Sequence, residues 1–196
     1  MLEYIRFLEG KAVAVWKEKR KIMQRYDLTA EMYEGLYSEE QQAKYKKALE
    51  NVGLDGGAVL DVGCGSGLFF PQVAHEAEIV VGVDVSRKLL LKAKEQAKRF
   101  GNVHVLQTDA DHLPFKNGVF GLVFSFTVLQ NMPKPKETLC EFKRAAKADG
   151  KVVVSGLKKA FALTAFMDVL EGAGLRVVSF VDDEDLKCYI AVAAQG

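Results

Sequence analysis

Short runs of consecutive apolar residues alternate along the chain with longer segments in which apolar positions recur every three or four residues. The runs at 58–62 and 79–83 are rich in β-branched side chains, as buried parallel strands are. Segments such as 87–100 combine Leu and Ala with Lys, which is typical of amphipathic helices. This alternation predicts an α/β fold in which helices cover both faces of a mainly parallel sheet.

Seven strands and six helices follow from the pattern. We predict helices over 1–25, 38–50, 68–77, 87–100, 135–148 and 160–171, and strands over 58–62, 79–84, 102–107, 119–126, 151–155, 175–181 and 187–194. Only a short acidic turn, Asp182 to Asp185, separates the last two strands, so we expect them to form an antiparallel hairpin.

The first predicted strand runs into a turn in which glycine occupies every second position, at Gly63, Gly65 and Gly67. Because glycine lacks Cβ, such a turn can adopt positive φ and let a ligand lie directly on the backbone. A dinucleotide fingerprint, G-x-G-x-x-G, would need its third glycine at Leu68, so that class of site is disfavoured. Taken alone, three glycines are also compatible with a plain loop.

An acidic residue follows the glycine turn at the distance that a strand–helix–strand unit requires. Asp84 ends the second predicted strand, 17 positions after Gly67. Its carboxylate is therefore expected at the same sheet edge as the glycine turn, where it can accept hydrogen bonds from both hydroxyls of a ribose. The alternative is a surface acid that merely follows a strand.

The segment Asp61 to Gly67, D-x-G-x-G-x-G, followed by Asp84, resembles motifs I and II of the class I S-adenosylmethionine (SAM) dependent methyltransferases, in particular the ubiquinone-biosynthesis type. The resemblance covers about residues 26–195. It implies SAM as cofactor, direct SN2 methyl transfer, and a Rossmann-like doubly wound sheet of order 3-2-1-4-5-7-6 with strand 7 antiparallel. It also implies a helical arm or lid over 1–50 and a cofactor-binding domain over 51–196.

The resemblance extends to other segments, among them Asp109 to Phe115, which is similar to the family's D-A-x-x-L-P-F. In the family, the acid of motif I orders the site near the amino-acid part of SAM, and the residues of the last segment contact adenine. The implied cofactor-binding residues are Asp61, Gly63, Gly65, Gly67, Asp84, Val85, Asp109, Ala110, Ser125, Tyr26 and Tyr33.

The catalytic residues cannot be assigned from the sequence. Gln130 and Asn131 are candidates, because they follow the fourth strand, where the family places the methyl group and the acceptor. Asn131-Met132-Pro133 is at best a broken form of the N-P-P-Y motif that holds an exocyclic amine. A helix cap and loop is an equally good interpretation of the pair.

Composition narrows the class of protein. The chain has 196 residues, a formal net charge of +1 and three cysteines without a C-x-x-C pair, so we expect neither a disulfide framework nor a metal site. Charged residues interrupt the N-terminal segment, and no apolar run reaches the length of a membrane span. We therefore expect a cytoplasmic enzyme without a membrane partner.

The acceptor stays open. A basic cluster in the first helix and lysines in loops beside the expected site indicate RNA, such as a tRNA or rRNA base. The cations concerned are Lys17, Lys19, Arg20, Lys21, Arg25, Lys134, Lys136, Lys158 and Lys159. The alternatives are a solvated helix face, a small-molecule acceptor beneath a lid of Tyr26, Tyr33 and Tyr37, and a SAM-binding protein without turnover.

The third strand, Val103 to Gln107, should form one edge of the sheet. It is short, apolar and almost uncharged, and exposed edges of this kind invite strand addition. We therefore expect either a small activator subunit or a second copy of the chain at this edge.

Overall fold

A computed structural model describes the backbone of residues 2–196, together with the side chains of residues 13, 15–32, 35 and 38–196. The side chains of Tyr33 and Tyr37, which we predicted to belong to a lid, lie outside the described residues. Within the described part of the chain, no helix combines the length and the apolar character needed to cross a bilayer.

One seven-stranded sheet forms the centre of the molecule. Its strands are β1 Ala58–Val62, β2 Ile79–Asp84, β3 Val103–Gln107, β4 Phe120–Ser125, β5 Ala146–Leu157, β6 Leu175–Val181 and β7 Cys188–Gln195. They lie in the order β3-β2-β1-β4-β5-β7-β6. The first five strands are parallel, and β7 is antiparallel to both β5 and β6. The predicted fold, strand order and edge strand are confirmed.

Helices cover both faces of the sheet. They are α1 Leu2–Thr29, α2 Tyr33–Asn51, α3 Phe70–Val73, α4 Arg87–Ala97, α5 Pro135–Ala145 and α6 Leu163–Gly172. Ser86 begins α4 by accepting a hydrogen bond from the backbone N–H of Leu89. Pro135 begins α5, where its missing N–H costs nothing.

The helix after the glycine turn is shorter than predicted. We expected it over 68–77, but only α3 is regular, and turns flank it on both sides. Pro71 has no N–H to donate to the carbonyl of Gly67, and the N–H of Phe70 closes a tighter turn onto that oxygen at 3.1 Å. Pro71 therefore accounts for the later start of the helix at Phe70, and beyond Val73 the chain continues as turns in which Glu76 and Ala77 donate to the carbonyl of Val73.

The fifth strand is longer than predicted. It begins at Ala146, not Lys151, and its first residues pair with Phe120 before a register shift. Gly150 permits this close approach, because a Cβ there would lie 2.9 Å from the carbonyl oxygen of Gly121. The predicted helix over 135–148 therefore ends at Ala145.

Two apolar layers enclose the sheet. Phe70 and Phe124 belong to the layer on one face, and Leu60, Phe142 and Phe166 belong to the layer on the other. All five side chains are fully buried. The core fixes β1 and β4 side by side, so their carboxyl ends meet at one edge, which is where α/β sheets bind ligands.

Candidate active site

The glycine turn connects β1 to α3 at this edge. Gly63, Gly65 and Gly67 have φ angles of +76°, +57° and +85°, a region that side chains with a Cβ rarely adopt. A Cβ on Gly63 would lie 2.2 Å from a methyl carbon of Val128. The N–H groups of Gly63 and Cys64 donate to the carbonyl of Val83 at 2.8 and 3.0 Å, which ties the turn to β2.

Asp84 lies at the end of β2 and holds the turn from the other side. Its Oδ2 accepts from the N–H of Gly65 at 3.0 Å, and its Oδ1 accepts from the N–H of Ser86 at 2.7 Å. Burial raises the pKa of this carboxyl, and the backbone N–H groups oppose that rise. A carboxylate has about four lone-pair sites, so Asp84 retains the capacity to accept two ribose hydroxyls.

Asp61 is buried beneath the turn with 3% of its surface exposed. Its Oδ2 has no hydrogen-bond partner within the described residues. Burial, with a smaller contribution from the negative charge of Asp84, raises the pKa of Asp61 to about 8. The carboxyl group therefore keeps its proton at neutral pH and can change its charge when a cationic group approaches.

Most of the predicted cofactor residues meet at one small cavity of 80 Å³, which we call the first cavity. Its walls contain the predicted residues Tyr26, Gly63, Gly65, Asp84, Val85, Asp109 and Ala110. Three others do not line it. Asp61 lies beneath the turn, Gly67 is buried at its far end, and Ser125 is fully buried with its hydroxyl donating to the carbonyl of Val62 at 3.1 Å.

Helix α1, part of the predicted arm or lid, contributes Lys19, Ile22 and Tyr26 to the walls of the first cavity, and the inward orientation of Lys19 is the part that the sequence did not indicate. Lys19 is 7% exposed, and its Nζ donates to both carboxylate oxygens of Asp109 at 2.7 Å and also contacts Asp111. Asp27 accepts from the hydroxyl of Ser86 at 2.6 Å. The carboxylate of Asp109, which we predicted to contact adenine, is therefore already bound by Lys19, and both partners would have to share it.

A larger cavity of 670 Å³, the second cavity, adjoins the first. Tyr26, Thr127 and Asn131 line both of them. The remaining walls of the second cavity are formed by Arg25, Thr29, Glu40, Gln41, Lys44, Gln130, Leu157, Lys158, Lys159 and Lys187. No local motif links these residues, so sequence reasoning did not group them.

Thr127 forms the junction between the two cavities. Its φ of +62° is unusual for a residue with a β-branched side chain. Hydrogen bonds fix it, since its N–H donates to Ser155 Oγ at 2.8 Å and its Oγ1 accepts from Lys44 Nζ at 2.9 Å. Strained backbone of this kind is found at functional sites.

The two catalytic candidates lie at the same junction. Gln130 and Asn131 both donate from their side-chain amides to the carbonyl of Thr127, at 2.5 and 3.1 Å. Asn131 also donates to the hydroxyl of Tyr26 at 3.1 Å and accepts from Arg25 at 3.0 Å. Among these two residues, Asn131 contacts both cavities and Gln130 contacts only the second.

The sequence of the chain is similar to known methyltransferases. Residues 60–154 match the family described as methyltransferase domain. The chain is therefore similar to the class I SAM-dependent methyltransferases over this segment. The chain is 32% identical over 150 residues to demethylmenaquinone methyltransferase of Tropheryma whipplei, a match that covers 75% of this chain and 61% of the relative. It spans less than two thirds of the length of the curated relatives that it matches.

Solved structures share the fold of this chain at low sequence identity. Magnesium protoporphyrin IX methyltransferase from Synechocystis PCC 6803 with bound SAM superposes with a TM-score of 0.75 at 18% identity, covering 91% of this chain and 97% of that one. A methyltransferase of Haloferax volcanii, in complex with a methyltransferase activator, gives 0.73 at 17% identity, covering 86% and 96%.

The cofactor of this family is SAM, and the residues of the first cavity fit it. Asp84 offers a partly buried carboxylate at the end of β2, and Gly63 and Gly65 present backbone without side chains to the first cavity. Asp61 contributes a carboxyl oxygen without a partner beside the glycine turn. These are the features expected for a ribose, a close backbone approach and a cationic amino-acid group, respectively.

Proposed function

We propose that the protein transfers the methyl group of SAM to a small molecule held in the second cavity. The observation that carries the proposal is the pair of adjoining cavities. The first contains the predicted cofactor residues, and the second is lined by polar and charged residues. Thr127 and Asn131 line both, so a donor and an acceptor can meet between them.

Alignment is the main task that this proposal gives to the protein. Bound SAM supplies a methyl group on a positively charged sulfur, which is already electrophilic. Holding the acceptor atom in line with that group then removes a large part of the activation free energy of methyl transfer. Thr127 fixes the wall at the junction, and Gln130 and Asn131 are anchored to its carbonyl oxygen.

No histidine lines either cavity within the described residues. The second cavity contains one carboxylate, Glu40, whose two oxygens accept from Lys44 and Lys187 at 3.0 Å each. A paired carboxylate is a weak base, so the proposed mechanism rests on positioning and on an acceptor that is itself a competent nucleophile.

The positions of the cations favour a small molecule over RNA. Lys19 is turned inward onto Asp109, and Arg25 lines the second cavity. Lys158 pairs with Asp182 in the acidic turn at 2.7 Å, which places negative charge next to the predicted basic surface. Lys19 is therefore removed from the predicted basic surface, and Arg25, Lys158 and Lys159 line a cavity of limited size rather than one extended surface. The relative from Tropheryma whipplei is likewise named for a quinone acceptor.

RNA methylation and SAM binding without turnover are the competing hypotheses, and one assay separates all three. The protein is incubated with tritiated SAM and cell extract, and the products are fractionated by size with and without nuclease. We expect label in small, nuclease-resistant molecules. Label in nuclease-sensitive material would support RNA, and an absence of transfer despite SAM binding would support a binding protein.

The same proposal gives different roles to the N-terminal helices and to the rest of the chain. Residues 1–50 act as an arm that covers the cofactor, because Lys19 and Asp27 of α1 contact Asp109 and Ser86. Residues 51–196 form the cofactor-binding domain. The exposed edge strand β3, in which Leu106 is 42% exposed, is proposed to pair with a small activator protein or a second copy.

A further inference from the structure

The charge of the second cavity is strongly unbalanced. Among the described side chains, its walls contain five cations and one carboxylate, that of Glu40. The five cations are Arg25, Lys44, Lys158, Lys159 and Lys187. The net charge of the whole chain is only +1, so this concentration of positive charge is a local feature. Clefts lined by one sign of charge attract small ions of the opposite sign.

The carboxylate does not neutralise its own surroundings. Lys44 is 1% exposed, and its Nζ lies 3.0 Å from Glu40 Oε1, while Lys187 lies 3.0 Å from Glu40 Oε2. Burial acts to raise the pKa of Glu40, but the hydrogen bonds from both lysines outweigh it and lower the pKa. One ionised carboxylate is thus shared by the buried Lys44 and by Lys187, which is 78% exposed, so one positive charge is left over at the outer side of this group.

Two of the other cations are engaged only in part. Lys158 pairs with Asp182, which does not line the cavity. Arg25 donates to the neutral amide of Asn131 and stacks 5.1 Å from the ring of Tyr26, so neither contact cancels its charge. The guanidinium and ammonium groups on this wall retain donors for a further anion.

Unpaired acceptors in the same wall indicate a ligand rather than a purely structural cluster of charges. Gln41 is 4% exposed, and its buried Oε1 has no hydrogen-bond partner among the residues whose side chains are described. The same holds for the buried Oε1 of Gln130. Native proteins seldom leave such atoms unsatisfied, so a bound molecule with N–H or O–H groups would complete both.

We infer that the second cavity binds a small anionic acceptor through a carboxylate or phosphate group held by Arg25, Lys159 and Lys187. This inference rests on the proposed function and names the chemical class of its substrate. The anionic group is placed at the cationic wall, and the methyl-accepting atom lies toward Thr127 and Asn131, where the two cavities meet. An uncharged molecule of the same shape would lose charge-assisted hydrogen bonds, which are the stronger kind.

Matched pairs of probes test the inference by calorimetry, with the protein saturated with S-adenosylhomocysteine. Benzoate is compared with benzamide for the carboxylate class, and phenyl phosphate with phenol for the phosphate class. We expect at least one anion to bind saturably and about tenfold or more tightly than its neutral partner. Whichever anion shows this preference assigns the class of acceptor.

Variants locate the binding. The double variant Lys159→Gln/Lys187→Gln should lose about tenfold or more of the affinity for the preferred anion. Lys147→Gln, which changes an exposed lysine at the opposite end of β5, should leave that affinity unchanged. Both sets of changes lie outside the first cavity, so affinity for S-adenosylhomocysteine should stay the same.

Three results would overturn the inference. These are an absence of saturable anion binding, equal binding of the neutral partners, and an equal loss in Lys147→Gln. A protein that does not bind S-adenosylhomocysteine would instead contradict the proposed function. The anion titrations would then be repeated on the protein alone, and the same three criteria would apply.

Discussion

The titration of Asp61 should dominate the pH dependence of stability around neutral pH. Its pKa is raised from 3.8 to about 8 in the folded protein, first by burial and then by the charge of Asp84. In the unfolded chain the carboxyl group is exposed to water and returns to its ordinary pKa. Between these two values the folded state holds a proton that the unfolded state has released, so the free energy of unfolding falls as the pH rises.

The substitution Asp61→Asn removes this ionisation and keeps the size of the side chain. A single proton taken up on folding gives a slope of about 1.4 kcal/mol per pH unit, and therefore roughly 3 kcal/mol between pH 5 and pH 7. The new amide carries N–H groups that find no partner, at a cost of about 1–3 kcal/mol that does not depend on pH. The slope, rather than the absolute stability, is therefore the informative quantity.

Urea unfolding at several pH values between 5 and 8 measures this slope for the wild type, for Asp61→Asn and for a control, Asp149→Asn, at an exposed position in β5. We expect the wild type and the control to lose stability in parallel as the pH rises, and Asp61→Asn to have a distinctly flatter profile. Parallel profiles for all three proteins would refute the account of Asp61 as a buried, protonated acid.

Three further predictions concern the cofactor, the junction and the sheet edge. Asp84→Ala should weaken binding of S-adenosylhomocysteine at least about tenfold in calorimetry, since each charge-assisted hydrogen bond contributes about 1.5–3 kcal/mol; unchanged affinity would disprove its role. Lys44→Met should lower kcat in the tritium assay but spare S-adenosylhomocysteine binding, because it removes the donor to Thr127 and one of the two lysines paired with Glu40, and Lys44 does not line the first cavity; equal losses of both would contradict this. Leu106→Lys should abolish self-association or activator binding in light scattering, and a fully active wild-type monomer would remove that proposal.

The sequence was sufficient for the parts of the site that one stretch of chain encodes. Gly63 and Gly65 follow β1 directly, and their spacing to Asp84 is set by one helix and one strand. Their meeting at one sheet edge follows from parallel pairing of β1 and β2, which the apolar runs already indicated. The family resemblance then supplied the strand order and the antiparallel β7.

Contacts between distant segments were not predictable in the same way. Lys19 reaches Asp109 across 90 positions, and the basic pattern of its helix gave no sign that one lysine would be buried. The second cavity combines residues from α1, α2 and the ends of β4 and β5, so its charge appears only after the chain has folded. Pattern also gave no information on Pro71, whose missing N–H shortens α3.

Binding of SAM at the glycine turn is the claim on which the rest depends, and titration calorimetry with SAM and NAD tests it most directly. We expect saturable binding of one SAM per chain. We expect no measurable heat with NAD, because Leu68 occupies the position of the third glycine that a dinucleotide fingerprint requires. Tight binding of NAD without a response to SAM would contradict it.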